Sequence, residues 1–209
     1  MGLSITILII IFTSLVSYQG FTNYRFLDRM KHTPSREWSA KEYYRLLTSG
    51  FVHSDWTHLL INMFVLYSFG EFIESFIVTE FGNPWGRIIF LALYMLNIIL
   101  ANIPTFIRHK HNPSFSSIGA SGAVSGIVFI FILLRPWSIL YLFFIIPLPA
   151  VLVGAGYLIY SSWAANKEHG RLDHLAHFAG AIAGMMMIII LKKEILADFF
   201  HKLVSEFPL

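Results

Sequence analysis

Five stretches of this chain contain no Asp, Glu, Lys or Arg and consist mainly of apolar side chains. They cover residues 1–24, 88–107, 112–134, 136–166 and 174–191. A helix needs about 20 mostly apolar residues to cross a bilayer, so each stretch is at or near spanning length. Inside lipid the backbone must satisfy its own hydrogen bonds, which favours helices. The pattern therefore predicts an all-α membrane protein that crosses the bilayer several times.

Along the whole chain the pattern predicts six transmembrane helices in a single domain over residues 1–209. The predicted spans cover about residues 2–24, 56–78, 85–107, 118–134, 137–163 and 172–191. Pro147 and Pro149 predict that the fifth helix is bent or broken, because proline lacks a backbone donor. Residues 192–209 are predicted to form an amphipathic helical tail on the membrane surface. Its apolar positions at helical spacing are Ile195, Leu196, Phe199, Phe200 and Leu203.

The one long connection between predicted spans, residues 25–55, mixes charged and aromatic side chains. Ser39 and Glu42 have the spacing of a capping box, in which a serine starts a helix and a glutamate lies three residues later. Apolar side chains follow directly at positions 43, 44, 46 and 47. We expect a short amphipathic helix at the membrane interface; the alternative is a helix in a water-exposed loop.

Composition narrows the functional classes. Charged residues make up 13% of the chain, whereas a soluble protein carries about 25%. The chain has no cysteine, which excludes disulfides and thiolate metal sites. The net charge of +3 is small and scattered, so it gives no indication of a nucleic-acid partner. No zinc-binding His-Glu-x-x-His motif is present, and apart from Asp173 at the start of the sixth, no aspartate lies within a predicted span.

Polar side chains near the ends of predicted spans indicate a function, because burying them in a membrane is costly. His58 and Asn62 open the second span, Ser121 opens the fourth, and His177 opens the sixth. Even-numbered spans all enter from the same face of the membrane. Residues about five positions inside each span then lie roughly 7–8 Å below that face. The topology therefore predicts that these four side chains converge in one shallow, membrane-embedded site.

A serine beside a histidine is the minimal pair for nucleophilic catalysis, since the histidine takes the hydroxyl proton. His58 and Asn62 lie four residues apart on one helical face and can both donate to an oxyanion. Free N–H groups at the start of the fourth helix can do the same. Small residues would let the fourth and sixth helices approach closely. These are Gly119, Gly122, Gly126, Gly180 and Gly184.

Single residues leave alternatives open. A serine in a membrane helix usually bonds its own backbone, and a membrane histidine can simply bridge helices. Ser125 is a rival nucleophile and His174 a rival base. Asp173, four residues before His177, could complete a triad. Histidines at the starts of spans could also line a metal or proton path in a small transporter.

Several motifs, in order along nearly the whole chain, resemble those of rhomboid intramembrane serine proteases of the six-helix, bacterial type. "EYYRLLTSGFVH" is similar to the tryptophan-arginine motif of the family's first loop. "HSDWTHLLINM" matches its second-helix His and Asn, and "FGEFIE" resembles the end of that helix. "GASG" is the GxSG nucleophile motif, and "AHFAGAIAG" is similar to the sixth-helix histidine followed by GxxxG.

The resemblance implies a rhomboid-like bundle of six helices and a Ser121–His177 dyad. It implies an oxyanion hole made by His58, Asn62 and the Ser121 N–H. It also implies that no metal or cofactor is needed and that the partners are transmembrane protein substrates within the lipid bilayer. The oligomeric state is not indicated. Supporting residues would be Arg45, His53, Glu74 and the glycines Gly119, Gly122, Gly180 and Gly184.

In that scaffold we expect His53 to tie the first loop to the second helix, and Arg45 and Glu74 to bind loop backbone. The sequence departs from the family at two positions. Tyr44 replaces the usual tryptophan, and Ser125 stands where relatives often have an aromatic ring against the catalytic histidine. A neighbour such as Phe178 or Phe115 would then have to supply that ring.

The resemblance places the protein in a bacterial inner (plasma) membrane with the active site toward the outside. In that orientation ten basic residues lie outside and five inside, which the positive-inside rule disfavours. We keep the family orientation because the first loop is expected to fold into the interface. The alternatives are an inactive rhomboid-like protein that binds transmembrane helices without cutting them, and the histidine-lined transporter.

Overall fold

Helices form most of the structure, a computed structural model that describes residues 3–142, 145–165, 167 and 173–207. The helices are α1 (Ile5–Thr22), α2 (Tyr24–Met30), α3 (Pro34–Ser39), α4 (Arg45–Thr48), α5 (Trp56–Phe81), α6 (Trp85–His109), α7 (Ser121–Leu134), α8 (Ala150–Ala164), α9 (His174–Leu191) and α10 (Glu194–Ser205). A 3₁₀ turn covers Ser49–Phe51, and two strands, β1 (Ile139–Leu142) and β2 (Ile146–Pro149), precede α8.

Four of these helices, α1, α5, α6 and α9, are long and apolar enough to cross a membrane, with mean hydropathies of 1.4 to 2.0. This confirms the predicted all-helical membrane class. Two further apolar helices, α7 and α8, have 14 and 15 residues, which is shorter than a bilayer-spanning helix requires. The exact count of six spans is therefore not confirmed.

The predicted fifth span is broken at Pro147 and Pro149, as expected, but the described residues of its first half are not helical. Residues 139–142 and 146–149 form two antiparallel strands, in which Ile139 pairs with Pro149 and Leu142 pairs with Ile146. Pro147 and Pro149 cannot donate the hydrogen bonds of a helix, whereas an edge strand tolerates proline. The helix consequently begins only at Ala150.

The predicted capping box in the first loop was also wrong. Ser39 is the last residue of α3, and its hydroxyl donates to the Ser35 carbonyl at 2.8 Å. The helix starts earlier because Pro34 occupies its first turn, a favoured proline position. The Glu37 carboxylate accepts the Thr33 N–H at 2.9 Å and secures that start. The helix expected after Glu42 is reduced to the four residues of α4.

The centre of the bundle is α7, which buries 11 of its 14 residues against α5, α6 and α9. The seam between α7 and α9 admits no larger side chain at two glycines. A Cβ at Gly180 would lie 2.0 Å from the Gly122 carbonyl oxygen, and one at Gly184 would lie 2.5 Å from the Gly126 Cα. Backbone contact of this kind fixes α9 against α7 at the level where α7 begins.

The chain ends that flank the bundle are attached by polar contacts. Glu74 on α5 accepts the Ile5 and Thr6 N–H groups at 2.8 Å each. It thus holds the first turn of α1, where we had expected it to bind a loop. At the other end of the chain, Lys202 of α10 donates to the Leu134 carbonyl at 2.9 Å. The helical tail is therefore packed on the C-terminal end of α7, and its contact with the membrane surface stays a prediction.

Candidate active site

Ser121 and His177 lie in direct contact. The distance from Ser121 Oγ to His177 Nε2 is 2.6 Å. Ser121 is the first residue of α7 and His177 lies in the first turn of α9. The contact is reached because Gly122 and Gly180 bring the two helix backbones together one residue beyond Ser121 and three beyond His177. A hydroxyl at this distance can pass its proton to the imidazole.

The backbone before Ser121 is held in an unusual conformation. Gly119 has a φ of 120°, a value that side chains other than glycine rarely adopt. A Cβ at this position would also lie 2.6 Å from His58 Cε1. The Gly119 N–H donates to the Ser49 carbonyl at 3.0 Å, which ties the segment just before Ser121 to the first loop.

His53 is a buried anchor for the same loop. Its Nε2 accepts the Ala120 N–H at 3.3 Å, and its Nδ1 lies 2.9 Å from Ser17 Oγ. The Ser17 hydroxyl also contacts the Phe51 carbonyl at 3.0 Å, so it donates there and accepts from Nδ1–H. Burial, followed by the neighbouring His58, lowers the pKa of His53 to about 3. The neutral ring joins α1 to the residue before Ser121, and it also meets the His58 ring of α5 edge-on at 4.9 Å between centroids, so the expected contact between the first loop and α5 is present.

His58 stands at the start of α5, which Asp55 caps by accepting the His58 N–H at 2.8 Å. That backbone bond is the main reason why the pKa of Asp55 is lowered. The His58 Nδ1 lies 3.2 Å from Ser54 Oγ, and the Ser54 hydroxyl donates to Asp55 at 2.7 Å. The Nε2 edge of the ring faces Gly119.

Two cavities meet at Ser121. One of about 30 Å³ is lined by His58, Gly119 and His177 as well as Ser121, and it is large enough to hold a water molecule. The other, of about 240 Å³, is almost entirely apolar and lies between α5, α7 and α8. Asn62 lines this second cavity and donates one amide hydrogen to the His58 carbonyl at 2.8 Å. His58 and Asn62 therefore flank the serine from different sides.

The rival site residues have other partners. Ser125 donates to the Ser121 carbonyl at 2.8 Å and contacts the Tyr157 hydroxyl at 2.6 Å. The Asp173 carboxylate caps α9 by accepting the Ala176 N–H at 2.9 Å and also accepts from the Thr105 and Ser117 hydroxyls. His174 meets the His177 ring edge-on at 5.9 Å between centroids. This geometry favours a dyad over a triad.

The ring beside His177 comes from a residue that the sequence analysis missed. Tyr157 on α8 stacks with His177 at 6.3 Å between centroids and 21° between planes. Of the two residues proposed for this place, Phe115 instead stacks on His109 at 3.9 Å. The small Ser125 signalled that some ring must fill the space, but nothing in the sequence showed which helix would supply it.

The buried side chain of Arg45 binds backbone carbonyls of the first loop. Its side chain is fully buried, and Nη1 donates to the Asp28 and Lys31 carbonyls at 2.6 and 3.1 Å. Its Nε bonds Glu42 at 2.6 Å. His32, next to Lys31, exchanges two backbone hydrogen bonds of 3.0 Å with Ser117. The folded loop is thereby joined to the segment that leads into Ser121.

Comparison with known proteins identifies the family of this chain. Residues 40–194 match the Rhomboid domain family. The chain belongs to the rhomboid family. Rhomboid proteins are in general intramembrane serine proteases, although some members are inactive.

The rhomboid relatives of this chain come from organelles and from a bacterium. RHOMBOID-like protein 12, mitochondrial, of Arabidopsis thaliana is 30% identical over 151 residues, which are 65% of this chain and 43% of that protein. Rhomboid protein 1, mitochondrial, of Saccharomyces cerevisiae is 30% identical over 68% of this chain and 40% of its own length. The Putative rhomboid protease YdcA of Bacillus subtilis is 30% identical over 44% of this chain and 43% of its own length. The chain thus spans about half, or less, of each of these relatives.

Proposed function

We propose that this rhomboid protein is an intramembrane serine endopeptidase that cuts transmembrane helices of membrane-protein substrates. Ser121 is the nucleophile and His177 the base. The observation that carries the proposal is the 2.6 Å contact between Ser121 Oγ and His177 Nε2 at the junction of two cavities. Family membership supports the same reaction class.

The proposed reaction has two steps. His177 takes the Ser121 proton while Oγ attacks the scissile carbonyl, and the protonated ring then gives that proton to the departing amine. Water next attacks the acyl carbonyl with His177 again as base; the bond from Oγ to the acyl carbon breaks, the new carboxyl end of the substrate leaves, and His177 returns the proton to Ser121 Oγ. The cavity between His58 and His177 offers a place for this water beside Ser121. No metal or cofactor enters either step.

The developing oxyanion needs donors on the Ser121 side. The Ser121 N–H is at the first position of α7, where no helical carbonyl accepts it. Asn62 keeps one amide hydrogen beyond the one given to His58. His58 can donate from Nε2 only with a proton there. That requires a protonated ring, or a turn of the Ser54 hydroxyl from Asp55 toward Nδ1.

The substrate must expose a carbonyl to this site, and a regular helix buries its carbonyls in internal hydrogen bonds. The apolar cavity between α5, α7 and α8 supports lateral entry of a locally unwound transmembrane segment, since it borders Ser121 and is lined by apolar side chains. In this proposal α8, or a displacement of it, sets the width of the entry.

Labelling with a fluorescent fluorophosphonate tests the proposal without a known substrate. The purified protein in mild detergent should label, the Ser121→Ala variant should not, and the His177→Ala variant should label at least about 100-fold more slowly. Ser68→Ala is the matched control, because Ser68 is an exposed serine that bonds its own helix at the Phe64 carbonyl. A folded wild-type protein that does not label would overturn the protease proposal in favour of a helix-binding rhomboid without activity.

A further inference from the structure

We infer that Tyr157 of α8 is the positioning residue for His177, and that its hydroxyl bond to Ser125 holds its ring in place. The inference rests on the proposed Ser121–His177 dyad. In this view α8 not only lines the apolar cavity but also supports the proposed base.

The direction of the hydrogen bonds around Ser125 can be assigned. Ser125 has one hydroxyl hydrogen, and the Ser121 carbonyl, 2.8 Å away, can only accept. Ser125 therefore donates to Ser121, and the Tyr157 hydroxyl, 2.6 Å away, donates to Ser125. The result is a chain from α8 through Ser125 to the backbone of the nucleophile itself.

The phenol ring restricts the imidazole. The two rings lie nearly parallel, with 21° between their planes and 6.3 Å between their centroids, so the tyrosine packs beside the His177 ring in an offset arrangement. His174 meets the same ring nearly perpendicularly, at 84°. A histidine ring has a broad, soft torsion about its second side-chain bond. Contacts on the ring are thus what keep Nε2 aimed at Ser121 before substrate arrives.

The sequence explains why α8 can supply this ring. Gly154 lies one turn before Tyr157, and a Cβ there would come within 2.8 Å of Ile132 Cδ1. The absent side chain lets α8 approach α7. Ser125 is small enough to leave the space beside His177 free, and Tyr157 fills it from the neighbouring helix. Displacement of α8 would therefore remove the support of the base.

The kinetics of fluorophosphonate labelling separate an effect on the position of His177 from an effect on binding of the probe. In the Tyr157→Leu variant we expect the maximal inactivation rate to fall on the order of 10- to 100-fold, as for other small misplacements of catalytic groups. The half-saturating probe concentration should change little. Tyr157→Phe keeps the ring and should lose less than about 5-fold. Tyr67→Leu, at an exposed tyrosine on α5, is the matched control and should label like the wild type.

Two further measurements distinguish a loss of His177 positioning from a general loss of structure in Tyr157→Leu. In the Tyr157→Leu background, Ser125→Phe should restore a large part of the rate, because position 125 faces the space that the ring vacates. Diethyl pyrocarbonate should modify His177 faster in Tyr157→Leu than in the wild type, as read by mass spectrometry. This readout does not need an active enzyme, so it tests the inference even if the wild type fails to label.

Equal labelling and equal His177 modification in the wild type and Tyr157→Leu would overturn the inference and leave the proposed protease intact. Slow labelling of Tyr157→Leu with a raised half-saturating concentration, no rescue and unchanged His177 modification would assign Tyr157 to the cavity wall instead.

Discussion

At the scale of single residues, the geometry of the candidate site depends on His53 and Gly119, which hold the backbone just before Ser121, as well as on Ser121 itself. His53 binds the Ala120 N–H, and Gly119 adopts a conformation closed to other residues beside the His58 ring. Neither residue touches a reacting atom. Both hold the backbone before Ser121 and thereby orient its N–H group, which is a donor in the proposed oxyanion hole.

The depressed pKa of His53 predicts a pH-dependent stability. The folded protein holds this pKa near 3, whereas an unfolded histidine titrates near its ordinary value of 6.5. Protons therefore bind the unfolded chain first, and stability falls as the pH drops from 6.5 toward 3. At pH 5 the loss from this residue is about 2 kcal/mol. The stability gap between the wild type and His53→Gln, from denaturant titrations in detergent, should narrow by this amount between pH 7 and pH 5. A gap that stays constant would show that His53 is not buried in the neutral form.

The two residues of the proposed dyad could be predicted from the sequence, because Ser121 and His177 lie in short motifs at the starts of spans that enter the membrane from one face. Tyr157 could not. It lies in the span predicted over residues 137–163, for which the sequence indicates a bend or break at Pro147 and Pro149. The direction of the helix after that break orients Tyr157 toward α7, and the sequence does not indicate this direction.

At the scale of elements, Glu74 gives the sharpest prediction. Its carboxylate accepts three hydrogen bonds, two from the N–H groups of Ile5 and Thr6 and one from the Thr6 hydroxyl. A negative charge at a helix start is also favoured by the helix dipole. Glu74→Gln loses the charge and one acceptor, so the free energy of unfolding should fall by about 2–3 kcal/mol.

Glu80→Gln is the matched control on the same helix. Glu80 is half-exposed and pairs with Lys192 at 2.5 Å, and such a pair contributes less than about 1 kcal/mol. Thermal unfolding of the three proteins in one detergent decides the comparison. Equal losses in the two variants would contradict the assignment of Glu74 as the cap of α1.

The apolar pattern predicted the ends of α5, α6 and α9 to within three residues at each end, since long, mainly apolar runs with polar flanks leave little choice of where a helix starts and ends. It failed where local chemistry overrides hydrophobicity. The two strands before α8 are as apolar as a helix, yet two prolines exclude the helix. In the first loop, Pro34 and Glu37 start a helix that ends at Ser39, the residue that the capping-box spacing predicts as an N-cap.

At the scale of the whole molecule, the outside is apolar in its middle and aromatic at its rims. Leu15, Ile159 and Ile190 are 64, 72 and 78% exposed, which lipid tails would solvate without cost. Trp56 and Trp163 are exposed on the side of the candidate site, while Trp85 lies at the opposite end of α6 from His109. Such belts are typical of the two membrane surfaces, and we propose that Ser121 lies just below one of them.

The orientation of the protein in the membrane decides which side holds the candidate site. The distribution of basic residues favours the orientation opposite to that of the family. The positive-inside rule counts charges of simple loops near the spans. The first loop is folded instead: Arg45 is fully buried, and Lys31 and Arg36 pair with Asp28 at 2.9 and 3.0 Å. We propose that these basic residues do not retain the loop in the cytoplasm and that the active site faces outward.

The absence of cysteine allows a direct test with two single-cysteine variants in intact cells of a bacterial host. Ser114→Cys reports on the exposed segment before Ser121, and Lys193→Cys reports on the exposed turn between α9 and α10 at the opposite face. A membrane-impermeant maleimide should label Ser114→Cys in intact cells, and Lys193→Cys only after the membrane is opened. The reverse pattern would place the candidate site on the cytoplasmic side. It would mean that the basic residues of the first loop act on topology even when they are buried or paired, and the outward-facing orientation would then have to be abandoned while the dyad stands.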